Sequence, residues 1–276
     1  MMKQAQITKI DDRTYRFTER FLGADVYCYL LIGDERAMLI DTAYGFTDIP
    51  SAIRRLTDKP FFVVNTHGHF DHMSGNDLYE ETYLSEKDRD LFCQHSDVAS
   101  LKQLLLPEVN FATKVLIAAL TPKLKSIVLP KADLPKPLPE EGYFELGNRR
   151  VEIIPTPGHT AGQIALLDTS RQWLFSADAI CHDGVLLMFP ESPGVRTQLE
   201  TVRRLKQMAA EGRFTQHFPG HQETPYTNEV LDRYEEACLH LLEEPLTEQE
   251  QKTHLYTGLG LTINFDPVKL KKERYI

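Results

Sequence analysis

Residues 61 to 76 read FFVVNTHGHFDHMSGN: an apolar run of buried-strand type that empties, two residues later, into three histidines and an aspartate. No other stretch restricts the fold as tightly. Residues i and i+2 at a strand end point the same way, so His67 and His69 converge on one point. The chain then turns between Gly68 and Met73 and aims Asp71 and His72 at a second point nearby. A single histidine is ordinarily a solvated or hydrogen-bonded side chain. Three imidazoles and a carboxylate packed into one turn at the end of a buried strand form a metal-ligand pattern.

Three later segments repeat the theme. TPGHTAGQ places His159 after a strand in a Pro-Gly turn, FSADAI ends a strand at Asp178, and FPGHQET puts His221 in another Pro-Gly turn. Each alone would be an ordinary loop residue. Together they complete five imidazoles and two carboxylates at strand ends, the donor set that two divalent ions with nitrogen and oxygen preference need.

The remaining pattern is mixed α and β. TYRFTE, VYCYLLIG and RAMLIDT are strand-like, with a turn at Gly33-Asp34 between the last two, and TDIPSAIRRLTD reads as a helix that stops before Pro60. SEKDRDLFCQHS has a serine cap and an acidic first turn, so a helix is expected there. One or two more helices are expected from Val98 to Leu120, broken near Pro107, and then a proline-rich extended connector over 129–141. YFEL, RVEIIPT, QIALLD and QWLFSAD form a second strand-rich stretch. TQLETVRRLKQMAAEG and NEVLDRYEEACLHLLEE are helical, with strand-like TQHFPGH between them. The halves echo each other, since AMLIDT precedes FFVVNTHGH as QWLFSAD precedes TQHFPGH. That echo implies two sandwiched sheet layers meeting at one edge.

Composition narrows the partners. A chain of 276 residues with 42% hydrophobic content can bury one large core, and it is read as a single domain over 1–276. The reading adds a helical insert at about 85–140 and a C-terminal helical tail. The formal net charge of -9 argues against nucleic acid, whose binders carry a basic stripe. The first residues, MMKQAQITKIDDRTYRF, hold no apolar signal core, and the longest apolar stretch, Val109 to Leu120, is interrupted by Lys114 and too short for a bilayer. Cys28, Cys93, Cys181 and Cys238 form no CxxC pair and read as reduced thiols. The expectation is a cytoplasmic protein acting on a small molecule, with no membrane partner and a homodimer possible. Residues 101–137 run against the acidic trend. Their lysines, Lys114, Lys123 and Lys125 among them, would rim a helical lid, a dimer interface or a solvated helix pair.

The pattern His67-x-His69-x-Asp71-His72, then His159, Asp178 and His221, resembles the metallo-β-lactamase superfamily, nearest in ligand set to its glyoxalase II-like and lactonase-like branches. The resemblance covers roughly residues 25 to 240. It implies an α/β fold, the four-layer αββα metallo-β-lactamase sandwich, with metals at one edge of the sheets. It also implies that His67, His69 and His159 hold a first ion, that Asp71, His72 and His221 hold a second, and that Asp178 bridges them. Two divalent ions are implied, zinc foremost, with iron or manganese compatible. The implied activity is hydrolysis of an ester, thioester or lactone by a metal-bound hydroxide, with Asp71 and Asp178 as catalytic carboxylates. Flavodiiron proteins depart from this pattern by a glutamate where His69 stands. A mono-iron persulfide dioxygenase and a non-catalytic ligand-binding descendant are the alternatives. Asp41, at the end of the strand beside FFVVNTH, is expected to orient a ligand, unless it is an ordinary turn aspartate. Tyr44, Phe70 and His182 lie next to the metal loops and are expected near the pocket, with His182 more readily a plain surface residue and no ligand, and Cys93 and Cys181 are expected only to pack.

Overall fold

The computed structural model describes residues 4–21, 23–96, 134–222 and 225–275. The chain divides into two compact units, Met1–Leu138 and Pro139–Ile276.

The first unit is built on a seven-stranded sheet whose spatial order follows the sequence: β1 (Gln6–Asp11), β2 (Thr14–Phe21), β3 (Ala24–Ile32), β4 (Ala37–Ile40), β5 (Phe61–Val64), β6 (Thr82–Leu84) and β7 (Lys136–Pro137). β1 to β4 form an antiparallel meander, and β4 to β7 run parallel. The change of direction after β4 requires a crossover, which α1 (Ile49–Leu56) supplies. The Asp48 carboxylate caps its first turn by accepting from Ser51 N at 3.0 Å, and Pro50 sits where a missing N–H does no harm. Ile49, Ala52 and Ile53 share one face and pack on Val26, Cys28, Leu30 and Val63. Each such fully buried aliphatic side chain contributes about 1.5–3 kcal/mol. Two short helices follow, α2 (Phe70–Met73) and α3 (Arg89–His95). The helix expected from Ser85 begins later: Glu86–Asp88 make one 3₁₀ turn without a side-chain cap from Ser85, and the α-helix proper starts at Arg89.

In the second unit, β8 (Tyr143–Glu145), β9 (Arg150–Pro155), β10 (Ile164–Asp168) and β11 (Trp173–Ala177) form an antiparallel run. β12 (Gly184–Leu187) leaves that sheet, and α4 (Val195–Ala210) returns the chain to β13 (Gln216–Pro219), which lies parallel to β11 and pairs with β14 (Tyr226–Thr227). Then come α5 (Glu229–Glu243), α6 (Glu248–Thr253), β15 (Leu255–Gly258), β16 (Leu261–Phe265) and α7 (Pro267–Glu273). β12, β16 and β15 make a separate three-stranded sheet. Val195, Leu199, Val202 and Leu205 of α4 recur at helical spacing and meet Tyr234, Ala237, Cys238 and Leu241 of α5 in one apolar cluster. The tail read as helical therefore also contains a hairpin.

The echo between halves is real within each unit. In the first, β4 runs into Asp41 beside the parallel strand β5, which runs into His67. In the second, β11 runs into Asp178 beside the parallel strand β13, which runs into His221. The helices expected over Val98 to Leu120, most of the 85–140 insert, and Lys114, Lys123 and Lys125 lie outside the described residues. Among the described residues, no helix is long and apolar enough to cross a membrane.

Candidate metal centre

β5 is buried, and so are Asn65, Thr66 and His67 that follow it. Polar side chains in such a place must be hydrogen-bonded, and the partners come from the end of β4. Asp41, held at φ 61, accepts from Thr66 N at 2.7 Å and from Thr66 Oγ1–H at 2.8 Å. Its Oδ2 also lies 2.8 Å from His72 Nδ1, which donates to it. This fixes the His72 tautomer and puts the lone pair on Nε2, the tautomer a metal-ligating histidine needs. Thr66 Oγ1 spends its proton on Asp41, so at 3.1 Å it accepts from His67 Nδ1–H, and His67 also presents a lone pair at Nε2. Asp41 thereby orients two imidazoles, one directly and one through Thr66.

His67 Nε2 faces His69 Nδ1 at 3.1 Å. Two ligand nitrogens about 2.1 Å from one zinc at the tetrahedral angle lie about 3.4 Å apart. The spacing thus fits two ligands of one ion. The His67 and His72 rings stand 4.2 Å apart, centre to centre. Asp71 Oδ2 lies 3.9 Å from His72 Nε2, and its side chain keeps 19% exposure, so a carboxylate oxygen shares the outer edge of this cluster.

The loop that carries these side chains is tightly determined. The His72 carbonyl accepts from Thr42 N at 2.8 Å and from Asn65 Nδ2 at 3.1 Å. Asn76 ties Asn65 and Thr42 together, donating to Asn65 Oδ1 at 2.7 Å and accepting from Thr42 Oγ1 at 2.9 Å. Gly68 allows α3 to close on the cluster, since a Cβ there would lie 2.9 Å from the Asp88 carbonyl oxygen. That approach brings His95 against His69, with ring centres 5.1 Å apart and planes within 16°. His95 Nδ1 accepts from Phe70 N at 3.2 Å, so it acts as a neutral support for the ligand loop.

In the second unit, His159 donates from Nδ1 to the Leu186 carbonyl at 2.8 Å, leaving Nε2 directed 3.7 Å from Asp178 Oδ2. His221 Nε2 approaches the same oxygen at 3.3 Å. One carboxylate oxygen therefore lies within ligand spacing of two imidazoles. The Gln163 side-chain carbonyl accepts from Asp178 N at 3.0 Å, and Tyr234 Oη donates to Cys181 O at 2.8 Å, which fixes the turn after β11. Gly158, before His159, has no room for a side chain: a Cβ would fall 1.9 Å from Gln198 Oε1.

Each unit thus gathers its own share of the sequence-derived set: His67, His69, Asp71 and His72 in one, His159, Asp178 and His221 in the other. Of the residues expected near a pocket, Tyr44 is only 5% exposed and stacks on Phe46, so it packs its loop and leans on Phe70. His182 is half-exposed and pairs with Asp183 at 2.8 Å. Burial, with the Asp178 charge nearby, pushes the Cys181 thiol well above its usual range, which suits packing and not nucleophilic attack. His217, on β13, is fully buried, stacked on Tyr226, and desolvation lowers its pKa to about 3. It is a neutral core histidine. His95 and Ser192, whose hydroxyl donates to the His159 carbonyl at 2.7 Å, were not legible as site residues in the sequence.

The model of the metallo-beta-lactamase superfamily matches residues 23–84. The chain is 30% identical over 203 residues to a probable metallo-hydrolase, MJ0888, of Methanocaldococcus jannaschii, covering 71% of this chain and 86% of that protein. It is 25% identical over 214 residues to the acyl-coenzyme A thioesterase MBLAC2 of Gallus gallus, covering 74% and 75% respectively. Among solved structures, a metallo-beta-lactamase from Pontibacter korlensis shares the fold with a TM-score of 0.60 at 17% identity, over 85% of this chain and 99% of that one. The chain belongs to the metallo-β-lactamase superfamily and has its α/β sandwich class of fold. Within that superfamily it is a metal-dependent hydrolase.

Proposed function

We propose that this enzyme is a dinuclear hydrolase of acyl thioesters, with esters and lactones as chemically related substrates. The observation that supports the reading is the preset orientation of His67, His72 and His159, each donating from Nδ1 so that the lone pair lies on Nε2. The donor chemistry fits divalent ions: imidazole and carboxylate only, with no thiolate among the seven residues. His67, His69 and His159 would hold one ion, Asp71, His72 and His221 the other, with Asp178 shared. Bound there, the ions would supply Lewis acidity toward the acyl carbonyl and a water acidic enough to ionise near neutral pH.

The chain's own residues do the rest. Asp41 and Thr66 keep His67 and His72 in the tautomer that ligation needs. Asp71, still partly exposed, offers a carboxylate oxygen that can accept a proton at the edge of the cluster. Asp178 Oδ2 sits between two imidazoles and suits a shared role. Attack by an ionised water needs no cysteine nucleophile, and burial raises the thiols of Cys28, Cys181 and Cys238. The thioester preference is supported by the similarity to an acyl-coenzyme A thioesterase.

Elemental analysis of chelator-free protein should approach two metals per chain. A panel of acyl-coenzyme A thioesters, p-nitrophenyl esters and lactones should give the highest kcat/KM on a thioester. A single iron per chain with oxygen consumption on persulfides would overturn this reading in favour of a dioxygenase.

A further inference from the structure

Every hydrogen bond described above for His159 involves the segment 184–192. Leu186 O takes its Nδ1–H, Ser192 Oγ donates to its carbonyl, and the Phe189 ring meets its ring edge-on with centres 5.9 Å apart. What holds that segment comes from far along the chain. β12 pairs in parallel with β16, Leu186 opposite Asn264. Beyond β12 the chain has no ladder; Ser192 N donates to the Phe189 carbonyl at 3.1 Å, and one further group reaches the carbonyls of Phe189, Pro190 and Ser192 together. Lys269 Nζ donates to them at 2.8, 2.9 and 2.8 Å. An ammonium has three protons, and these three carbonyls account for all of them.

The same helix completes the grip. Asp266 caps α7 by accepting from Val268 N at 2.7 Å and Lys269 N at 3.1 Å, which sets the helix start and so the direction of Lys269. One turn later the Glu273 carboxylate accepts from Val195 N and Arg196 N, both at 3.2 Å, and caps α4 where Gly194 offers no side chain. Lys269 therefore takes the carbonyls of the loop and Glu273 the N–H groups at its end.

We propose that Lys269 is a positioning residue for His159: by fixing the 189–192 loop it holds Ser192 and Phe189 against the histidine and keeps Nε2 aimed as a ligand. The role of His159 as ligand rests on the function proposed above, whereas its orientation can be read without metal. Outer partners of ligating histidines typically change metal affinity about 10–100-fold when lost, and Lys269 acts one step further out, so a loss of about tenfold is expected.

The test uses the full chain with Lys269→Met, Lys269→Arg and Ser192→Ala. In metal-free protein, the ¹H–¹⁵N resonance of His159 Nδ1–H should be slowly exchanging in the wild type. It should be broadened or lost in Lys269→Met and partly restored in Lys269→Arg. Ser192→Ala, which removes one bond and leaves the helix untouched, should shift the same resonance. Zinc titration against a chelator should show about tenfold weaker binding at one site in Lys269→Met and near wild-type binding at the other. Lower thermal stability with an unchanged His159 resonance and unchanged zinc affinity would overturn the proposal and leave Lys269 a purely structural brace. Wild-type protein that takes up neither zinc, manganese nor iron would defeat the functional reading, and the metal-free resonance would still decide the role of Lys269.

Discussion

Replacing Asp41 by asparagine tests the orientation of the ligands directly. The carboxylate accepts three hydrogen bonds, from Thr66 N, Thr66 Oγ1 and His72 Nδ1, at 2.7 to 2.8 Å. Asparagine has the same shape but only one acceptor oxygen, so one of two conflicts follows. If its oxygen stays on Thr66 N, its NH2 group faces His72 Nδ1–H. The imidazole must then move its proton to Nε2, which removes the lone pair a ligand needs. The expected cost is about 10–100-fold in affinity for the ion His72 would hold, equivalent to about 1.4–2.7 kcal/mol. If instead the oxygen turns to His72, the buried Thr66 N–H faces a donor, and stability falls by about 1–3 kcal/mol. Both outcomes are measurable on one sample: two-site zinc affinities by chelator competition, and urea unfolding of the metal-free protein. The site that His67 and His69 would form depends on Asp41 only indirectly, through Thr66 and His67, so it should weaken less. An Asp41→Asn variant with both zinc affinities and the unfolding free energy unchanged would refute the orienting role of Asp41.

His217 predicts an acid-sensitive core. Its folded pKa of about 3 lies below the 6.5 of an unperturbed histidine, so the imidazole is neutral in both states at pH 7.5. As pH falls from 6.5 towards 3 the unfolded chain takes up a proton that the native core refuses, and stability drops by about 1.4 kcal/mol per pH unit. By pH 5 the loss is about 2 kcal/mol, and His217→Leu should remove that share of the difference between urea midpoints at pH 7.5 and pH 5; an identical pH dependence in wild type and variant would count against it. Asp178→Ala should lower occupancy for both ions, because Asp178 Oδ2 lies near both His159 and His221; full metal content and activity in that variant would show the shared-ligand assignment to be wrong.

The parts of the site that the sequence makes legible are those where chemistry and strand ends coincide. FFVV is apolar because β5 is buried, and the residues after it are confined to the strand's end. The Pro-Gly turns flag His159 and His221 in the same way. His95 carries no such mark, since its stacking on His69 depends on α3 closing over Gly68, a tertiary contact with no periodic trace. Ser192 and Lys269 are equally silent, each an ordinary polar residue until the fold sets it against a carbonyl. The hairpin β15–β16 was hidden for a local reason. Its two-residue turn has Leu259 at φ 55 before Gly260 at φ 72, and a leucine occupies the position where asparagine or aspartate would announce such a turn. The cap Asp266-Pro267 of α7 is a plain helix-start signal, overshadowed by the long helical pattern before it.

The spans of chain that orient the two sets of ligands differ, and that difference has a consequence for folding. The bonds that set His67 and His72 close loops of 25 and 31 residues, from Asp41 to Thr66 and to His72. Those holding the loop beside His159 join residues 77 to 80 apart in sequence. Ordering a longer intervening chain costs more entropy before any contact rewards it. During synthesis the turn bearing His72 has its partners Asp41, Thr42, Asn65 and Asn76 once residue 76 has emerged, and the support from His95 after residue 95. The loop beside His159 waits for Lys269. A nascent chain therefore orients His67 and His72 while the surroundings of His159 are still unformed.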